Sequence, residues 1–305
     1  MNVFLITRPI QYVNVLNLPF DIVNSVLIIQ NSFSTINTIY EIAQKDKKRW
    51  KKIIICTTNN SIFRWLFQNR KNIKSLTTYT DLGIRWYLLF SMMKKRTEIN
   101  IYEEGLATYS YWQLKGIKRI LYSILNRQNM SILYLGASRY IHSIYVYDVL
   151  LHNQLIPQAS SKVLKFKSSL EILVQKESLF NMLYKSNSKF QGKKIFLYLT
   201  NWEYNENVWQ YIPDDTYLKI IKPHPKLEIN SSILKKFDIV IGPEYLAEIV
   251  VATLLNEAKY MIVIHEGSTS MLHFIPNEKL KEICLESETS IAYKKVKEKI
   301  ITLYS

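Results

Sequence analysis

Cysteine is scarce. The chain has two in 305 residues, Cys56 and Cys284, far apart and without metal-ligand spacing. Reduced thiols in a cytoplasmic protein are the simplest account of them. No stretch reaches the roughly 18 uninterrupted apolar residues of a membrane span. Met1 to Thr7 carries no cationic n-region and runs into Arg8-Pro9, so it reads as a first core strand and not as a signal peptide. There is no zinc-finger spacing, RNA-recognition aromatic motif or basic heptad region, which removes nucleic acid from the expected partners. No Asp-x-Asp metal motif occurs, and Asp214-Asp215 reads as a turn before a strand, so no metal is expected.

Acid also runs short. Lys+Arg number 40 against 25 Asp+Glu, a formal net charge of +15. A field of that sign attracts polyanions, anionic lipid or phosphate-bearing substrates. The charges are spread over the whole chain, which fits peripheral contact with the anionic inner leaflet better than it fits DNA. What is plentiful is apolar: 48% hydrophobic residues, enough for sizeable cores. The length favours two domains over one.

Hydrophobic patterning predicts strands at 2–7, 23–30, 52–56 and 98–102, with helices at 38–45, 61–69 and 81–93. Residues 12–18 read as helical or irregular, 132–150 as strands, and 160–185 as helical. Further strands are expected at 194–200, 217–221, 237–241 and 260–264, a helix at 245–255, and a final basic helix at 287–304. Continuous apolar strands alternating with helices indicate an α/β fold with parallel sheets covered on both faces. The polar stretch 186–192 marks a boundary, giving domains 1–187 and 188–285 and a terminal helix over 286–305 that is free to pack back on the first domain. The segment 111–127 is amphipathic and basic. It reads as a domain helix with a solvated charged face or as a helix lying on an anionic membrane.

Polar residues gather where strands end, which is where open α/β sheets bind ligands. Lys222-Pro223-His224-Pro225 puts an imidazole between two prolines on a stiff turn, beside a lysine that can act as a point charge. Glu103-Glu104-Gly105 places paired carboxylates before a glycine. Adjacent like charges raise a partly buried acid towards the range of a general base. An acidic helix start explains that trio equally well. Ser268-Thr269-Ser270, after Gly267, offers phosphate donors at a predicted helix N-terminus, or plain capping.

Together these junctions resemble the bacterial sialyltransferases, with Thr200-Asn201-Trp202-Glu203 resembling a Thr-Thr-Trp-Glu turn of one branch. The resemblance covers 98–105 and 194–275. It implies a GT-B architecture, two Rossmann-like domains with parallel sheets facing a central cleft. It implies an inverting, metal-independent and cofactor-free transfer of sialic acid from CMP-sialic acid to a glycan hydroxyl, on lipooligosaccharide or capsule. Under it Glu104 is the base and Glu103 its fallback; His224 assists phosphate departure. Lys222, with Pro223 and Pro225, borders the cytosine, and Glu248 or Glu244 holds the ribose. Ser268, Thr269 and Ser270 hold the phosphate. Trp202 and Asn201 close the donor site, and Arg8, Pro9, Gln11 and Gly105 line the cleft. A GT-B transferase with another anionic donor, such as CMP-Kdo, competes within enzymes. A non-catalytic basic membrane or polyanion binder competes from outside them.

Overall fold

A computed structural model describes residues 1–20, 23, 25–31, 36–46, 49–93, 97–168, 189–225 and 227–304. The chain divides into two compact units, Met1–Ser169 and Leu170–Ser305. The expected boundary at 187/188 lies outside the described residues.

The first unit is built on seven strands: β1 (Asn2–Ile6), β2 (Ser25–Gln30), β3 (Trp50–Cys56), β4 (Ser75–Thr78), β5 (Glu98–Tyr102), β8 (Ile141–Val146) and β9 (Val163–Lys165). Between β5 and β8 a separate antiparallel pair forms from β6 (Tyr111–Gln113) and β7 (Ile132–Tyr134). The seven run β3-β2-β1-β4-β5-β8-β9, every neighbouring pair parallel. The helices between them are α1 (Pro9–Asn17), α2 (Ile36–Lys45), α3 (Asn59–Asn69), α4 (Ile84–Ser91), α5 (Gly116–Asn126) and α6 (Val149–Leu155). Runs such as Val3-Phe4-Leu5-Ile6 and Leu27-Ile28-Ile29 are wholly buried, as strands covered on both faces must be.

The second unit holds β10 (Lys194–Leu199), β11 (Leu218–Lys222), β12 (Ile239–Val240), β13 (Tyr260–His265) and β14 (Leu280–Cys284), ordered β12-β11-β10-β13-β14 and again all parallel. Its helices are α7 (Ser231–Leu234), α8 (Ala247–Glu257) and α9 (Glu288–Tyr304). In each sheet the chain winds outward one way from a central strand and then the other. The reversals fall between β1 and β4 and between β10 and β13. Both units are therefore Rossmann-like, and each has its crevice outside the carboxyl ends of those central strands.

Four expectations are corrected. The central strand β4 was not expected; Ser-Leu-Thr-Thr is too polar to stand out, yet all four residues are buried, and Ser75 Oγ donates to Asn2 Oδ1 at 3.0 Å. The segment 111–127 is not one helix, because Tyr111–Gln113 pairs as a strand and α5 starts at Gly116, a left-handed glycine at φ +52°. No long helix fills the described part of 160–185: residues 157–162 form a 3-10 turn that leads into β9, and 169–185 lie outside the described residues. Ser268–Ser270 do not open an α-helix, since only a three-residue 3-10 turn, Thr269–Met271, follows.

Candidate functional site

In the first unit, the corner after β1 is fastened by one side chain. Gln11, fully buried in the first turn of α1, accepts hydrogen bonds through Oε1 from Thr7 N (2.6 Å), Thr7 Oγ1 (3.1 Å) and Arg8 N (3.2 Å). Pro9 occupies the start of the helix, where its missing N–H costs nothing. Gln11 then donates through Nε2 to Glu104 Oε1 at 3.3 Å. Glu104 follows β5, and the Arg8 guanidinium lies 3.5 Å from the same oxygen. The Arg8 side chain is half exposed, whereas that of Glu104 is 15% exposed. Burial pushes the Glu104 carboxyl above its usual range, and Arg8 pulls it partly back. Tyr79, which follows β4, is pushed up to about 12, by burial first and then by Glu104.

The acid pair splits by the alternation of a strand end. Glu103 points inward and is fully buried. Its Oε2 accepts from Tyr109 OH and from Tyr147 N, both at 2.7 Å, and its carbonyl accepts from Asn14 Nδ2 at 3.1 Å. Gly105 takes φ +79° and opens the 3-10 turn Gly105–Tyr109, whose Thr108 Oγ1 accepts from Glu104 N at 2.8 Å. Arg8, Gln11 and Glu104 thus meet, while Glu103 serves the interior.

In the second unit, β11 delivers Lys222 and Pro223 buried and His224 half-buried, while Pro225 sits exposed in the turn. His224 N donates to Thr200 Oγ1 at 2.8 Å, which pins the residue to the end of β10. The Trp202 ring lies over the imidazole, centroids 4.7 Å apart and planes tilted 39°. Lys222 Nζ donates to the Pro223 carbonyl at 3.1 Å. Burial pushes the Lys222 ammonium down to about 8, opposed by Glu248 and Glu244. Glu248 stands in the first turn of α8, and Ser270 Oγ donates to its Oε1 at 2.9 Å. The Glu244 carboxylate folds over Gly242, where any Cβ would fall 2.1 Å from Oε1. Asn201 Nδ2 donates to the Glu266 carbonyl at 3.5 Å.

The loop after β13 departs from expectation. The backbone N–H groups of Gly267 and Ser268, expected as phosphate donors, both donate instead to His265 Nδ1 at 3.0 and 3.1 Å. The imidazole consequently carries its proton on Nε2 and donates to Glu282 Oε1 at 3.1 Å. Glu282 also accepts from Tyr293 OH at 2.6 Å and pairs with Lys297 Nζ at 2.8 Å. Burial alone would raise the Glu282 carboxyl; His265, Lys297 and Tyr293 together hold it below its usual range. Lys297 further donates to the carbonyls of Met271 (2.7 Å), Leu272 (3.3 Å) and Phe274. The described side-chain bonds of Tyr293 and Lys297 thus tie α9 to the second unit. The hydroxyls of Ser268 and Thr269 remain as the ligand-capable groups of this loop, that of Ser270 being given to Glu248. Tyr79 and this buried network were not anticipated, because nothing local in the sequence signals either.

Among the described residues no group of three or more His, Cys, Asp or Glu side chains could hold a metal ion. Chemically, the first unit offers a proton acceptor beside a guanidinium. The second offers a lysine, an imidazole under a tryptophan, a carboxylate and hydroxyls.

No family model matches the chain, and no curated protein matches it in sequence. Among solved structures the chain is similar to the wall teichoic acid polymerase TagF, at 12% identity over 96% of this chain and 86% of that one, TM-score 0.48. It is also similar to D-mandelate dehydrogenase from Rhodotorula graminis, at 8% identity over 92% and 94%, TM-score 0.19. Overlaps this shallow assign no activity and no substrate. The class stands on the strand order itself: an α/β protein of two Rossmann-like units with polar groups at the carboxyl ends of both sheets.

Proposed function

We propose that this chain is a glycosyltransferase of GT-B type that moves sialic acid from CMP-sialic acid to a glycan hydroxyl with inversion. One observation carries the reading. Of the acid pair after β5, Glu103 is consumed by the interior, while Glu104 keeps one carboxylate near a guanidinium with its proton affinity raised.

Glu104 takes the proton from the acceptor hydroxyl as that oxygen bonds to the anomeric carbon. The bond from that carbon to the phosphate oxygen breaks, and its electron pair leaves with CMP. His224 and the hydroxyls of Ser268 and Thr269 answer the charge that grows on the phosphate, while Ser270, the third hydroxyl of that loop, holds Glu248 in place. Lys222 and the flanking Pro223 and Pro225 border the base, and Glu248, with Glu244 as its alternate, takes the ribose hydroxyls. Asn201 and the half-exposed Trp202 shield the leaving group from water. Arg8, with Pro9, Gln11 and Gly105 shaping its corner, steers an anionic sugar towards the base. These roles ask for no metal and no cofactor.

The test is CMP release from a donor panel, with CMP-sialic acid beside CMP-Kdo and nucleotide diphosphate sugars, and a mixed glycan acceptor. Turnover confined to CMP-sialic acid supports the reading. Turnover only with another donor keeps the transferase and replaces the sugar. Binding of polyanions without turnover on any donor refutes catalysis.

A further inference from the structure

We propose that the outward face of α5 docks this chain on an anionic lipid bilayer. A surface helix ordinarily turns its apolar stripe to the core. In α5 a second apolar row faces outward. Its inward side is carried by Tyr122 and Asn126, both buried, with Leu125 partly buried against the core. Tyr122 packs edge-on against Tyr87 at 5.2 Å, and Asn126 donates to Tyr87 OH (3.2 Å) and accepts from Arg139 N (2.8 Å). The opposite side carries Ile117, Ile120, Leu121 and Ile124, spaced i, i+3, i+4, i+7, and they are 73%, 60%, 38% and 67% exposed. Four aliphatic side chains in one solvent-facing row mark an interaction surface. Tyr111 and Trp112, just ahead of the helix, are each 43% exposed and add the aromatic rings favoured at lipid headgroups.

Charge decides the occupant. Lys115, Lys118, Arg119 and Arg127 are all exposed in and around this helix. From Gly105 to Tyr147 the sequence holds no acid. Lys118 and Arg127 fall on either flank of the aliphatic row, where long cationic side chains reach to headgroups while their stems lie along the apolar surface. Arg119 lies on the other side of the helix and donates to Asn129 Oδ1 at 3.1 Å. A second copy fits poorly, since two-fold pairing would press the same acid-free basic patch against itself. Nucleic acid would satisfy the cations and leave the isoleucines in water. Among the described residues no helix is long and apolar enough to cross a membrane, so the geometry is that of a helix lying in the interface.

The test is co-sedimentation of the full chain with vesicles of phosphatidylcholine alone and of phosphatidylcholine with one third phosphatidylglycerol. Binding is expected only with phosphatidylglycerol and should weaken as salt rises. Ile117→Gln, Ile120→Gln and Ile124→Gln combined should lower partitioning by at least about tenfold. Lys118→Gln with Arg127→Gln should lower it by roughly fivefold per charge removed. All these positions are exposed, and an unchanged circular dichroism spectrum checks that each variant is folded. Failure to bind phosphatidylglycerol vesicles, equal binding to neutral ones, or undiminished binding by the triple variant overturns the proposal. So does a dimer in sedimentation equilibrium that the triple variant dissolves, which would give the face to a second copy.

Discussion

Lys297→Met is expected to be the most destabilising single change in the second unit. The ammonium is 7% exposed, pairs with Glu282 at 2.8 Å, and donates to the carbonyls of Met271, Leu272 and Phe274. Methionine keeps the stem volume and deletes all of these bonds. It leaves Glu282, itself 7% exposed, as a buried carboxylate short of its cation. Breaking a buried pair from one side costs about 3–5 kcal/mol. For a domain of this size that lowers the melting temperature by roughly 10 °C. Urea unfolding with amide-exchange protection read on β13 and β14 localises the loss. Adding Glu282→Gln to Lys297→Met removes the stranded charge, and the amide oxygen still accepts from Tyr293 and His265, so the double variant should recover part of the loss. A cost below about 1 kcal/mol for Lys297→Met would refute the reasoning, because such a value belongs to an exposed pair.

The acid pair should separate into a folding residue and a turnover residue. Glu103→Ala deletes the carboxylate that accepts from Tyr109 OH and Tyr147 N, at about 1–3 kcal/mol for each bond lost, and denaturant midpoints read it. Glu104→Gln should leave that midpoint nearly unmoved. Stability should also depend on pH through Asp81, a buried carboxyl accepting from Gly136 N and Ser138 N at 2.9 Å and pushed up to about 6 by burial. A raised carboxyl favours the fold while protonated, so its contribution is full below about pH 4 and fades as pH climbs through about 6, by roughly 3 kcal/mol. Asp81→Asn should flatten that slope in melting curves, and parallel slopes would contradict it. Trp202→Ala uncovers the His224 ring and should loosen CMP binding by about tenfold in calorimetry, with no change in melting temperature.

Much of the architecture is legible in the residues because parallel strands buried on both faces must be continuously apolar. Val-Phe-Leu-Ile in β1 and Ile-Phe-Leu-Tyr in β10 announce themselves that way. β4 hides because three of its four buried residues, Ser75, Thr77 and Thr78, are hydroxylic, and Leu76 alone carries the apolar signal. The strand-end residues Arg8, Glu104, Lys222 and His224 were visible because proline, glycine and paired charges interrupt apolar runs. Which of Glu103 and Glu104 faces inward was not, since adjacent residues alternate and a one-residue difference in where the strand stops reverses the answer. The His265–Glu282–Tyr293–Lys297 network escapes sequence reading because its members come from β13, β14 and α9 and are joined only by the fold.

The account stands most directly on Glu104 as the group that accepts the acceptor's proton. The deciding measurement is steady-state CMP release from CMP-sialic acid by Glu104→Gln against the parent chain, across pH, with CMP affinity measured in parallel. The parent rate should rise with pH through the raised carboxyl of Glu104, and the variant should lose about 10²–10⁴ in kcat while binding CMP as before. A glutamine variant that turns over at the parent rate, with the same pH profile, would contradict the account.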